Sequence, residues 1–229
     1  KIDENNKIIY FTYPEKEVEI NYEPVNILYE DAFLIAAFKP PFLLVHNDGN
    51  SQDTLQARIN GYLQLNGNKY PAQAIHRIDY ETSGLVLFCK HPFLQAYCDK
   101  NMEEHHIKKD YIALVQGHTN YKNKKIVSNI ARDRHNAKKM IIHPNGKESI
   151  SIFNTLKNYK DYSLIQVSIL TGRKHQIRVQ CASLKHPILN DSLYGGKRID
   201  NTGLLLQSHH IQFNDIDVIC PQEKRFIRK

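Results

Sequence analysis

Three segments carry residue types that could do chemistry. The first, His76–Gly84, reads HRIDYETSG and runs directly into the apolar stretch LVLF at 85–88. A strand end fixes the backbone while its loop stays open to solvent, so a carboxylate there, Asp79, is a candidate base or nucleophile. The alternative is structural. Asp79, Thr82 and Ser83 would bond nearby backbone as turn residues, and Gly84 would supply a backbone angle that other residues avoid.

The second segment, HIKKDYIAL at 106–114, starts a strand at Tyr111 just after the basic pair Lys108 and Lys109. Without a partner, Tyr111 is an ordinary strand-edge aromatic. The third, TGRKHQIRVQCASLKHPILNDSLYGG at 171–196, predicts a helix opening at Thr171 and Gly172. Its first two turns would hold Arg173, Lys174, His175 and Arg178. Cations there oppose the helix dipole, so a phosphate or carboxylate is expected nearby. Arg178 lies about 100° round the helix from the apolar Ile177, from where its guanidinium could pair with an acid such as Asp79. A solvated basic face is the competing account and the better one for Lys174.

These segments need elements to position them. NILYEDAFLIAAFKPP at 26–41 reads as a hairpin turning at Glu30-Asp31 and ending at Pro40-Pro41. TLQARINGYL at 54–63 places Leu55, Ile59, Tyr62 and Leu63 on one helical face, with Asp53 as the expected N-cap. Pro92 opens a second helix striped by Leu94, Tyr97, Cys98 and Met102. Strands follow at YIALVQG, SISIFNTL, YSLIQVSIL and LLLQSHHIQF, with a basic, loop-rich stretch at 122–139. The expected class is α+β, with a mixed, largely antiparallel central sheet flanked by helices. Residues 1–24 read as a polar N-terminal extension or remnant and 25–229 as one catalytic domain.

The 229 residues are 41% apolar, enough for a sizeable core, and 31 Lys and Arg against 24 Asp and Glu leave a net charge of +7. A polyanionic partner is favoured. Four cysteines, Cys89, Cys98, Cys181 and Cys220, show neither C-x-x-C nor zinc spacing and read as free thiols in a reducing compartment. No run approaches the ~18 apolar residues of a membrane span, and the first residues lack a signal-peptide pattern. A cytoplasmic protein is expected.

Taken together, the segments resemble one family. HRIDYETSGL is similar to the HRLDxxTSGL signature of the RluA-type RNA pseudouridine synthases, and HIKKDYIALVQG resembles their K-x-Y-x-A segment. TGRKHQIRVQCASLKHPILNDSLYGG is similar to their TGRxHQIRVHxxxxGHPIxGDxLYG, and ILYEDAFLIAAFKPPFLLVH to their first shared stretch. The resemblance implies isomerisation of uridine in RNA to its C-glycoside, with no cofactor and no metal. It puts the catalytic aspartate at Asp79, the stacking and proton-accepting tyrosine at Tyr111, and the aspartate-pairing arginine at Arg178. Arg77 would help displace the target nucleotide. His76, Thr82, Lys108, Lys109, Arg173, Lys174 and His175 are expected to serve RNA binding or base flipping, with Arg132, Arg134, Lys138 and Lys139 as further phosphate contacts. The expected partner is RNA, ribosomal before transfer RNA, bound by a monomer.

Four departures from the family pattern concern shape: Phe42, Lys185 and Asn190 stand where the family has glycine, and Gln180 where it has histidine. Asn190 can keep a left-handed backbone angle, whereas Lys185 does so at greater cost. A kinase is excluded by the missing glycine-rich loop and D-F-G, and a metal hydrolase by the lack of H-E-x-x-H or comparable spacing. The remaining alternative is an inactive RNA-binding protein on the same fold.

Overall fold

A computed structural model of the chain describes residues 18–49 and 51–227, with the backbone of two short strands before them, β1 (Ile2–Asp3) and β2 (Ile8–Ile9), which pair antiparallel. Most of the expected N-terminal extension, 1–24, therefore lies outside the described residues.

The expected hairpin forms β3 (Asn26–Glu30) and β4 (Leu34–Lys39). Its turn is fastened by Asp31, whose Oδ1 accepts from the Phe33 and Leu34 amides. Next come α1 (Leu55–Leu65), β5 (Gln73–Ala74), β6 (Ser83–Cys89), α2 (Pro92–Glu103) and β7 (Lys108–Gln116). They are followed by β8 (Lys124–Arg132), β9 (Met140–Ile142), β10 (Lys147–Asn158), β11 (Tyr162–Ile169), α3 (Gln176–Ser183), β12 (Leu206–Phe213) and β13 (Ile216–Ile219). The main sheet runs β3-β4-β6-β12-β7-β11-β10-β8-β9, with β5 beside β6 and β13 beside β12. The β6–β12 pair is parallel and every other pair antiparallel, so the fold is α+β with a mixed sheet.

Strand β6 is buried along its whole length, which explains its unbroken apolar run. Its alternation feeds two cores. Val86 and Phe88 join Ile35, Ala37 and the α1 residues Leu55, Ile59 and Leu63 on one face. Leu85 and Leu87 join Leu34, Ala36 and the α2 residue Cys98 on the other.

Four local expectations are corrected. The N-cap of α1 is Thr54, whose Oγ1 accepts from the Ala57 amide; Asp53, one residue too early, instead accepts two bonds from Arg58 at 2.8 and 2.7 Å. In α2 Tyr97 is exposed, and Asn101 is buried with Cys98 in its place. The basic stretch at 122–139 contains the nine-residue strand β8, held by antiparallel pairing with β10. The third helix starts at Gln176, not Thr171, because the Gln176 side chain organises a preceding turn. Its Oε1 accepts from Thr171 Oγ1 and the Arg173 amide, and its Nε2 donates to the Ile150 carbonyl and Ser151 Oγ. Arg173 and Lys174 thus lie outside the helix, and the dipole argument for them falls away.

Three of the four departures from the family pattern have a common geometry. Phe42, Lys185 and Asn190 adopt φ of 64°, 64° and 68°, the left-handed region. Gln180 is buried and donates to Ser128 Oγ and the Ser149 carbonyl, tying α3 to β8 and β10.

Candidate active site

The loop between β5 and β6 holds Asp79 by its backbone. The Tyr80 carbonyl accepts from the Phe42 amide at 2.7 Å and from Lys39 Nζ at 3.1 Å, the Glu81 carbonyl from the Leu204 amide, and the Asp79 carbonyl from the Thr82 amide. Lys39 is fully buried and also donates to the Pro40 and Leu43 carbonyls. Burial pulls its ammonium down to about 7, with the Asp79 charge acting in the opposite sense. At the start of β6, Gly84 has φ +112°, and a side chain there would meet the Ser208 carbonyl oxygen at 2.1 Å. Only glycine lets β12 close on β6 at this point.

The side chains in this loop do not bond their own turn. Asp79 Oδ2 accepts from Arg178 Nη1 at 3.1 Å and lies 3.8 Å from His175 Nε2. Ser83 Oγ bonds Glu223 and Arg225 near the C-terminal end, and Thr82 Oγ1 is buried without a partner among the described residues. The turn-residue account of Asp79 therefore fails on geometry, while its expectation for Gly84 holds.

Arg178, on α3, is itself gripped from behind. Its Nε and Nη2 donate to the two oxygens of Asp191 at 2.8 and 2.9 Å, with the Arg178 side chain 5% exposed and that of Asp191 fully buried. Its guanidinium lies over the Tyr194 ring, 5.1 Å from the centroid. Burial works against the arginine's charge, but Asp191 and then Asp79 outweigh it and hold Arg178 protonated. The Tyr194 hydroxyl accepts from the Met140 amide and lies 2.9 Å from His175 Nδ1. Burial lowers His175 to about 4, so its imidazole is neutral.

Tyr111 sits on β7 opposite Ser208 of β12 and Val167 of β11. It is 6% exposed, and burial pushes its phenol well above 10. The resting side chain is a neutral phenol.

Asp79, Tyr111 and Arg178 line one cleft of about 610 Å³, together with His76, Arg77, Thr82, Lys109, Arg173, Lys174 and His175. Of the residues singled out in the sequence, Lys108 and the further phosphate contacts Arg132, Arg134, Lys138 and Lys139 do not line this cleft. Strand alternation turns Lys108 away from Lys109 and Tyr111, and its Nζ donates to Gln212. Arg77 is exposed at the cleft mouth beside His46. A second groove of about 510 Å³ adjoins the first through Gly172, Arg173 and Lys174 and includes Arg132 and Lys147.

Sequence reasoning did not single out Asp191, Tyr194 or Lys39. Asp191 and Tyr194 stand in the quoted NDSLYGG segment, where a carboxylate downstream of a helical arginine was the available signal. Lys39 interrupts the apolar run LIAAFKPPFLL, and that buried charge was its signal.

Comparison with known proteins agrees with this geometry. The family described as RNA pseudouridylate synthase matches residues 34–183. The uncharacterized RNA pseudouridine synthase YhcT of Bacillus subtilis is 36% identical over 203 residues, covering 87% of this chain and 66% of that protein. The ribosomal large subunit pseudouridine synthase D of Haemophilus ducreyi is 32% identical over 188 residues, covering 80% and 58%. This chain thus spans less than two thirds of the length of both. The structure of human RNA Pseudouridylate Synthase Domain Containing 1 superposes with a TM-score of 0.74 at 22% identity, over 92% of this chain and 86% of that one, and shares the fold.

Proposed function

Because the chain belongs to the RNA pseudouridylate synthase family, we propose that it converts specific uridines of structured RNA, ribosomal RNA first, to pseudouridine. The observation that carries this is the Asp79 carboxylate, bonded at 3.1 Å to an arginine fixed by a second buried acid, in a cleft faced by Tyr111. The preference for ribosomal RNA rests on relatives named for the large ribosomal subunit.

A base inside an RNA stack is out of reach of any side chain, so the target nucleotide must swing out into the cleft. Arg77, exposed at the mouth, enters the space left behind. Tyr111 offers a rigid aromatic face for the uracil. The C1′–N1 bond then breaks and a C1′–C5 bond forms. Asp79 serves either as nucleophile at C1′ or as base toward the 2′ position, and both routes need a charged carboxylate against the sugar. The C5 hydrogen is lost and N1 gains one, so the isomerisation balances without an external reductant or oxidant. Tyr111, a neutral phenol at rest, takes the C5 proton as its own phenolic proton is released to water, and N1 takes up a proton from water in exchange. Thr82, His175, Arg173 and Lys174 hold the nucleotide and its phosphates. Residues 25–229 form the catalytic domain and 1–24 an extension of it, whose last part is tied to α1 by the Asn21 amide bond to the Ala57 carbonyl. We assign the activity to a monomer working in the cytoplasm.

Pseudouridine mapping in total RNA from cells with and without this gene tests the reading. One or a few sites should vanish, return with the wild type, and stay absent with Asp79→Ala. That variant should keep RNA binding, because Arg178 retains Asp191. Unchanged sites would leave an RNA-binding protein without activity.

A further inference from the structure

Lys109 is 8% exposed, and its Nζ has one neighbour within hydrogen-bonding distance among the described residues, the Met102 sulfur at 2.9 Å. A thioether is a weak acceptor and carries no charge, so the ammonium is buried without compensation. Burial alone lowers Lys109 to about 8, with no carboxylate acting in the other direction. The nearby His76 gives no relief. Its Nε2 accepts from the Leu87 amide at 3.1 Å, and burial lowers the ring to about 3, so it is neutral. A buried lysine of this kind calls for an anion from outside the chain.

The cleft supplies the room. Lys109 lines it two residues before Tyr111 on the same face of β7, about 7 Å along the strand. Around it the cleft extends past the end of α2, where Met102, Glu103 and His105 form its wall. Lys109 and Tyr111 share the face of β7 that lines the cleft, so a group held at the ammonium adjoins a base stacked on Tyr111 and is not the base itself. A uracil carbonyl would leave the lysine charge uncompensated, whereas a phosphodiester oxygen neutralises it.

Resting on the pseudouridine synthase reading, we propose that Lys109 binds a backbone phosphate of the nucleotide next to the target uridine. The arm of the cleft formed by Met102, Glu103 and His105 is then the subsite for that neighbour.

The chain has two methionines. Met102 touches Lys109, and Met140 lines the second, basic groove with Arg132 and Arg173. Methyl labelling of methionine in the full chain therefore gives one reporter for each place a phosphate could bind. Uridine, uridine 5′-monophosphate and uridine 3′-monophosphate are titrated in turn. At least one monophosphate should shift the Met102 methyl and bind about tenfold more tightly than uridine, the size of one charge-assisted hydrogen bond. Lys109→Leu should lose that preference and Lys109→Arg should keep it, both with the wild-type amide spectrum away from the cleft. Equal binding of uridine and both monophosphates would overturn the proposal. So would a response at Met140 alone, or a preference that survives Lys109→Leu. Because this binding needs no turnover, a Met102 response in a protein whose loss changes no pseudouridine site would sink the activity and leave the phosphate subsite standing.

Discussion

Arg178 works between two acids that face it from opposite sides, and the asymmetry of the two contacts sets their roles. Asp191 takes two donors at 2.8 and 2.9 Å in a dry environment, while Asp79 accepts from the third nitrogen, Nη1, at 3.1 Å with its side chain 26% exposed. The first contact fixes the guanidinium, and the second leaves a carboxylate open to a substrate. Removing the fixing acid strands a buried cation, so Asp191→Ala should lower stability by about 3 kcal/mol in urea unfolding. It should also depress pseudouridine formation, as Arg178 loses its fixed orientation beside Asp79. Stability and activity unchanged together would sink this account. The Asp79–Arg178 pair was legible in the sequence because helical geometry put Arg178 at the edge of the apolar stripe. Asp191 was not, since its approach depends on a chain reversal through the left-handed Asn190, which periodicity does not encode.

The elements carry their own exceptions to local preference, and α3 carries them at both ends. His175 at the N-cap has φ 54° and makes no capping bond, while Lys185 follows the C-cap at φ 64°. The exit is a paired closure, in which the His186 amide donates to the Cys181 carbonyl and the Lys185 amide to the Ala182 carbonyl. That motif favours glycine at the position Lys185 holds. Relieving the left-handed strain gains about 1–2 kcal/mol, and the added freedom of glycine in the unfolded chain returns about 0.5–1 kcal/mol of it. Lys185→Gly should therefore raise the melting temperature by a degree or two. Asn190→Gly should lower it despite the same backbone region. The Asn190 side chain donates to Asp200 and to the Gly203 carbonyl and accepts from the Ile199 amide, bonds that glycine cannot make. A thermal melt in which both variants move the same way would contradict this assignment. Strands β4 and β6 were read because their solid apolar runs survive folding unchanged, whereas β8 was missed because its polar, largely exposed sequence carries no such run. The start of α3 was misread because a side chain, Gln176, builds the turn ahead of it, and helical spacing says nothing about where such a turn ends.

At the scale of the whole molecule, residues 79, 111 and 178 meet because β6 and β7 both flank β12 and α3 packs Ile177 and Cys181 into the core on their side of the sheet. Their coming together was legible only through the order of whole segments. The sheet is further tied at its centre by His210 on β12, whose ring lies 2.9 Å from Asp110 of β7 and 2.8 Å from Asp217 of β13. Burial acts to lower this imidazolium, but the bonds to Asp110 and Asp217 outweigh it and raise His210 above 6.5. A raised folded-state value means that the charged ring stabilises the fold fully below pH 6.5 and loses that contribution as pH rises through the folded value. Other groups run the opposite way. The buried neutral His76 and His175 withdraw stability as pH falls below 6.5, and Lys39 adds it as pH rises from about 7 toward 10.5. The total profile therefore hides His210, and a difference isolates it. Urea midpoints of the wild type and His210→Gln, taken every half unit from pH 5.5 to about 8.5, should differ most at the acid end and converge toward the alkaline end. A gap that stays constant or widens with pH would show that the ring binds its two acids as a neutral group, and that the charge at the centre of the sheet contributes nothing.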